Sequence, residues 1–79
     1  MQPLQRIKNL DLRLCNIFSS AAIATQPDAK RQVIKELRLF ARLARRGNRP
    51  ELAAEALRME YDLVAELHQA GQPYPEATA

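Results

Sequence analysis

Apolar residues recur at three- and four-residue steps along most of the chain, in three blocks separated by joints that contain Pro or Gly. That period belongs to helices, and no stretch alternates as a strand would. In the first block Leu4, Ile7, Leu10, Leu14, Ile17, Phe18 and Ala21 form one amphipathic face, with Cys15 and Ala22 at its edge. Leu12 and Ile23 point elsewhere, which predicts a second contact. Pro3 suits a first turn, where its missing N–H loses no partner. The block stops before Pro27, because the residue ahead of a proline is pushed out of the α region.

The second block, Asp28 to Arg46, splits into two unequal sides. Arg31, Lys35, Arg38, Arg42 and Arg45 line up at helical spacing as one positive ridge, with Arg46 beside it and Arg49 extending it into the next turn. Ala29, Val33, Ile34, Leu37, Leu39, Phe40, Ala41, Leu43 and Ala44 fill an arc of roughly 220° at helical geometry. A single partner helix needs a stripe only somewhat wider than ~100°. At least two neighbours on the apolar side are therefore predicted.

The third block carries a seam of Leu52, Ala56, Met59, Leu63, Leu67 and Ala70 at alternating four- and three-residue steps, as in an antiparallel helical hairpin. Between blocks one and two, Thr25 is placed to cap the backbone N–H of Asp28 in a capping box. In RRGNRPE, Gly47 reads as the left-handed residue ending the second helix and Asn48 as the cap of the third. Gly71 ends the third helix. The pattern predicts an all-α, antiparallel three-helix bundle, up-down-up, with helices over about 4–24, 26–46 and 49–70. Residues 1–70 form a single helical domain, and the GQPYPEATA segment at 71–79 has too little apolar content to pack, so it reads as a disordered tail.

Composition sharpens this picture. A chain of 79 residues buries only about 60% of the surface its unfolded form exposes and needs a supplement to its core. One Cys (Cys15) excludes an internal disulfide, and one His (His68) disfavours a His/Cys metal site. Helix packing or oligomerisation is left. No apolar run approaches the ~20 residues that cross a bilayer. Charges interrupt MQPLQRIKNLDLRLC every few residues, so it reads as neither a signal nor an anchor, and the expected location is cytoplasmic.

The net charge of +3 conceals an asymmetry. Residues 28–49 hold eight Lys/Arg against two acids, whereas the rest of the chain holds four against seven. The ridge is the leading candidate for chemistry: its guanidiniums suit carboxylates on a protein or phosphates along nucleic acid. No Asn, Gln, Ser or Thr accompanies it to read base edges, and no aromatic is interleaved for stacking. A second candidate is apolar surplus. Leu39 and Leu43 on the second helix, and Leu57, Tyr61 and Val64 on the third with His68 extending the strip, lie beyond the principal seams. They either complete an intrachain core or dock a partner.

Asp11, Glu36 and Glu60 fall near apolar arcs, one per helix. Helical carboxylate metal sites use a Glu-x-x-His step, and Ala65 stands where that step requires Glu before His68. These acids read instead as seam ion pairs with Lys8, Arg13 or Arg58, while Glu36, lacking a cation at helical spacing, needs a partner from another helix or subunit. His68 reads as a surface residue, and Cys15 as a small apolar residue without an adjacent base. No catalytic residue, cofactor or metal site is expected. The sequence predicts a non-enzymatic helical interaction module, an adaptor, inhibitor or regulatory accessory protein. It would bind another protein or itself, as a homodimer, through the apolar strips and the ridge. Non-specific nucleic-acid binding by the ridge is the alternative, and no membrane partner is expected.

Overall fold

The computed structural model describes residues 3–75, with side chains described from residue 9 onward. The side chains of Leu4 and Ile7 on the first apolar face, and residues 76–79 of the expected tail, lie outside the described residues. The fold is all-α: α1 spans Pro3–Ile23, α2 Pro27–Arg46 and α3 Pro50–Gln69. Each helix opens on a proline, whose fixed φ is already helical and whose missing N–H is an orphan in any first turn. Every helix boundary falls within one residue of the expected one.

The directions follow from which residues meet. Leu10 faces Gly47 at the end of α2, while Ser20, Ile23 and Ala24 share a surface with Ala29 and Val33 near its start. α1 and α2 are therefore antiparallel. Lys30 pairs with Glu66 and Arg38 with Glu60, so α2 and α3 are antiparallel too. The bundle is up-down-up. α1 begins about two turns ahead of Leu10.

The core is mainly a property of that hairpin. Val33, Ile34, Leu37, Phe40, Ala41 and Ala44 of α2 are buried against Leu52, Ala53, Ala56, Leu63 and Leu67 of α3. From α1, among the described side chains, only Leu14 is fully buried; Leu10, Ile17, Phe18 and Ala21 rest half-buried on the core. α1 thus lies as a second layer across one side of the hairpin. Consequently α2 buries an arc of about 120°, from Phe40 round to Ile34, rather than its whole apolar circumference. Both of its neighbours stand on the same side, which leaves Leu39 at 55% exposure. Leu12, on the back of α1, and Ile23, at its end beside the start of α2, are also exposed.

The helix joints differ from expectation in three details. No capping box forms at α2: the cap is Gln26, in extended conformation without a side-chain bond, and Asp28 pairs with Arg31 one turn on. The charged Arg31 guanidinium outcompetes the uncharged backbone N–H of Thr25 for that carboxylate. At the other end Gly47 has φ −82°, and the left-handed residue is Asn48, φ 61°. Arg49 N–H bonds the Ala44 carbonyl (2.8 Å) and Asn48 N–H the Arg45 carbonyl (3.1 Å), the two bonds of a Schellman ending. Asn tolerates this conformation. Glycine is used at position 47 for closeness, since a Cβ there would stand 3.2 Å from Leu10 Cδ1. The cap of α3 passes accordingly from Asn48 to Arg49. Gly71 (φ 70°) ends α3 as expected, with Gln72 N–H on the Leu67 carbonyl at 2.9 Å.

Candidate interaction surface

The two long sides of the hairpin carry different chemistry. On the α1 side, a groove of about 340 Å³ runs between α1 and α2, lined by Arg13, Asn16 and Ile17 from one helix and Glu36, Leu39, Phe40 and Leu43 from the other. Phe40 closes its floor and Leu43 is half-buried in its wall. Leu39 stands at the rim. Glu36, which has no cation three or four residues away in its own helix, has no ion-pair partner among the described residues, and neither has Arg13. An apolar groove with one unspent charge of each sign at its edge can accept a complementary surface.

The cationic ridge occupies the other side, and it is not uniform. Arg38 Nε donates to Glu60 Oε2 at 2.5 Å, and its NH2 donates to the Pro75 carbonyl at 2.7 Å. Arg31 binds Asp28 and also donates from NH1 to the Pro73 carbonyl at 3.0 Å. Residues 71–75, the described part of the expected tail, lie along this ridge. Tyr74 meets His68 edge to face, ring centres 6.2 Å apart. Lys35, Arg42, Arg45 and Arg46 are exposed further round.

Arg49, the seventh cation, belongs to the closed end of the hairpin. Its Nε donates to Glu51 Oε2 at 2.5 Å and its NH2 to Asp11 Oδ1 at 3.3 Å, which ties α1 to the α2–α3 turn. The hydrogen bond from Arg49 is the main reason that the Glu51 carboxyl is held below the usual carboxylate range; the backbone N–H of Glu51 adds to it. In return Glu51, and then Asp11, raise the pKa of Arg49 further above its ordinary value. Nη1 of Arg49 is buried without a partner among the described residues.

The predicted strips divide as well. Leu57 and Val64 pack half-buried against the core, while Tyr61 is 73% exposed on their outer flank. Leu39 and Tyr61 therefore stand on different sides of the hairpin. The three seam acids separate: Asp11 goes to Arg49, Glu60 to Arg38 and Glu36 to the α1–α2 groove. Two of them pair across helices, where sequence spacing pointed to Lys8, Arg13 or Arg58. Sequence reasoning missed the tail as an acceptor, because a main-chain carbonyl leaves no mark in a pattern of side chains.

No protein-family model, curated protein or solved structure matches the chain significantly. None of its helices, within the described residues, is long and apolar enough to cross a membrane.

Proposed function

We propose that this protein is a small, non-enzymatic, cytoplasmic interaction module that associates through the α1–α2 groove, with a second copy of itself as the first partner. One observation carries the reading: Leu39 is more than half exposed beside an apolar groove whose rim holds Arg13 and Glu36, both without intrachain ion pairs among the described residues. A two-fold contact brings each residue of one copy to the counterpart of its neighbour in the other. Arg13 of one subunit can then meet Glu36 of the next, twice, on either side of a Leu39 contact. Regulatory or adaptor work follows from occupying that groove.

Sedimentation equilibrium over a range of concentrations tests this. Wild type should shift from monomer to dimer with concentration, and Leu39→Asp should stay monomeric at unchanged helicity. A wild-type mass that stays monomeric throughout overturns self-association.

Non-specific binding of nucleic-acid phosphates by the ridge is the second reading, favoured by the exposure of Lys35, Arg45 and Arg46. Against it, Arg31, Arg38 and Arg49 already donate within the chain. Affinity for a random duplex should fall steeply with salt if the ridge binds phosphates; absence of binding at low salt removes the reading.

A further inference from the structure

Residues 72–75 show what the ridge side of the hairpin can hold. Gln72 and Tyr74 each precede a proline and are thereby confined to extended backbone. Such a segment makes no internal hydrogen bonds, so its carbonyls are open to donors. Arg31 and Arg38, two turns apart on α2, take the carbonyls of Pro73 and Pro75, and the ring between them rests on His68 of α3. The segment runs parallel to α2, between Arg31 and Arg38 on one side and His68 of α3 on the other.

The donors are positioned independently of this occupant. Glu60 fixes Arg38 from α3, and Asp28 holds Arg31 from within α2. Both guanidiniums keep an anchor when the segment leaves. The occupant itself is lightly held: none of its described residues is fully buried, and Tyr74 is 39% exposed. A preformed pair of donors under a loosely seated strand is the arrangement of a binding site, more than of a structural strap.

We propose that this face is a docking site for an extended Pro-aromatic-Pro segment of a partner protein, and that residues 72–75 are its resident, displaceable occupant. Main-chain carbonyls supply affinity that tolerates sequence change; the two prolines and the ring against His68 supply selectivity. A strongly basic segment is excluded by the ridge. The site is distinct from the α1–α2 groove and does not depend on self-association.

The test uses the full-length chain with its own segment loosened by Pro73→Gly, Tyr74→Ala and Pro75→Gly, and the synthetic peptide AGQPYP with a fluorescent label. A tethered segment competes at millimolar effective concentration, so the loosened chain should bind the peptide at least about tenfold more tightly than wild type. Adding Arg31→Ala and Arg38→Ala should weaken that binding by about tenfold or more, because both guanidinium donors to the carbonyls are then gone. No saturable binding by a loosened chain of wild-type helicity overturns the proposal, as does binding indifferent to the two arginines. Should the loosened chain lose helicity, wild type gives the second readout. Excess unlabelled peptide must then shift the Tyr74 and His68 ring resonances, and unmoved resonances overturn the proposal. Sedimentation of the same variants separates the two surfaces, since self-association through Leu39 should be unaffected.

Discussion

The two long sides of the α2–α3 hairpin are covered by opposite means. One carries a helix of 21 residues that lays Leu14, Ile17 and Phe18 onto the core. The other carries a short extended segment held by two arginines through its carbonyls and by one ring contact. Burial of apolar area is non-directional and scales with that area, so the helix-covered side should dominate stability. Guanidinium–carbonyl contacts are directional and partly solvated, so the other side should contribute orientation more than free energy. A fold can thus be anchored on one side and open to exchange on the other.

Truncating the core should give the largest effect and fix the scale of this contrast. Leu37, fully buried at the centre of α2, should cost about 2–5 kcal/mol as Leu37→Ala. Leu14→Ala, on the more loosely packed α1, should fall near the lower end of that range, because α1 can settle into the space. Tyr74→Ala on the opposite side should stay within about 0.5 kcal/mol, like other exposed substitutions. Urea unfolding of the three variants checks the order. A Tyr74 effect equal to that of Leu14 would erase the distinction between the two sides.

Arg38 comes next, because it serves both the hairpin and the segment. Removing it strips a partly buried carboxylate, Glu60, of its partner and frees the Pro75 carbonyl. A charge-assisted hydrogen bond of this kind contributes about 1.5–3 kcal/mol, so Arg38→Ala should destabilise by about that amount. A reference variant without Pro73 and Pro75 sharpens the attribution. If Arg38→Ala costs as much in a chain already carrying Pro73→Gly and Pro75→Gly, its stabilising role lies with Glu60 alone and the segment contributes only occupancy.

The same asymmetry sets what the sequence disclosed. The helix-covered side was written in three- and four-residue periodicity, so the three helices, their directions and most of the core follow from spacing alone. Leu39 was visible as surplus; its exposure depended on where α1 came to rest, and a wide apolar arc does not specify that. The ridge was legible as a line of charge. Its sharing among Glu60, Asp28 and the carbonyls of residues 73 and 75 was not, because those contacts depend on the path of a proline-rich segment with no periodic signal. Gly47 and Asn48 exchanged their expected roles for a related reason: sequence suggests which residues tolerate a left-handed backbone, but only the approach of Leu10 shows which position must lack a Cβ.

That exchange is itself testable and smaller in effect. Asn48→Ala places a Cβ-bearing residue without a compensating amide in the left-handed region and should cost about 1–2 kcal/mol. Gly47→Ala has an ordinary backbone conformation, and reduced freedom of the unfolded chain returns about 0.4–1 kcal/mol against a crowded Leu10. Its net change in a thermal melt should therefore be the smaller of the two. Asn48→Gly should be tolerated. The reverse ranking would restore Gly47 as the left-handed residue and remove the close approach of α1.

The smallest effect probes the clamp at the closed end of the helix-covered side, where Arg49 holds Glu51 and Asp11. Glu51 titrates below its ordinary range because it accepts the Arg49 hydrogen bond. A carboxyl with a depressed folded pKa favours the folded state above its unfolded pKa and loses that advantage as pH falls through the folded value. Stability from this contact is therefore present near neutrality and disappears on acidification. Thermal melts of wild type and Glu51→Gln should differ at about pH 7 and converge once the pH has fallen through the lowered folded pKa of Glu51, where both carry an uncharged side chain. Because the pair is exposed, salt should shrink the difference at neutral pH as well. A gap that persisted in acid would mean that Glu51 acts through packing at the start of α3, and that the tie between α1 and the turn rests on Asp11 alone.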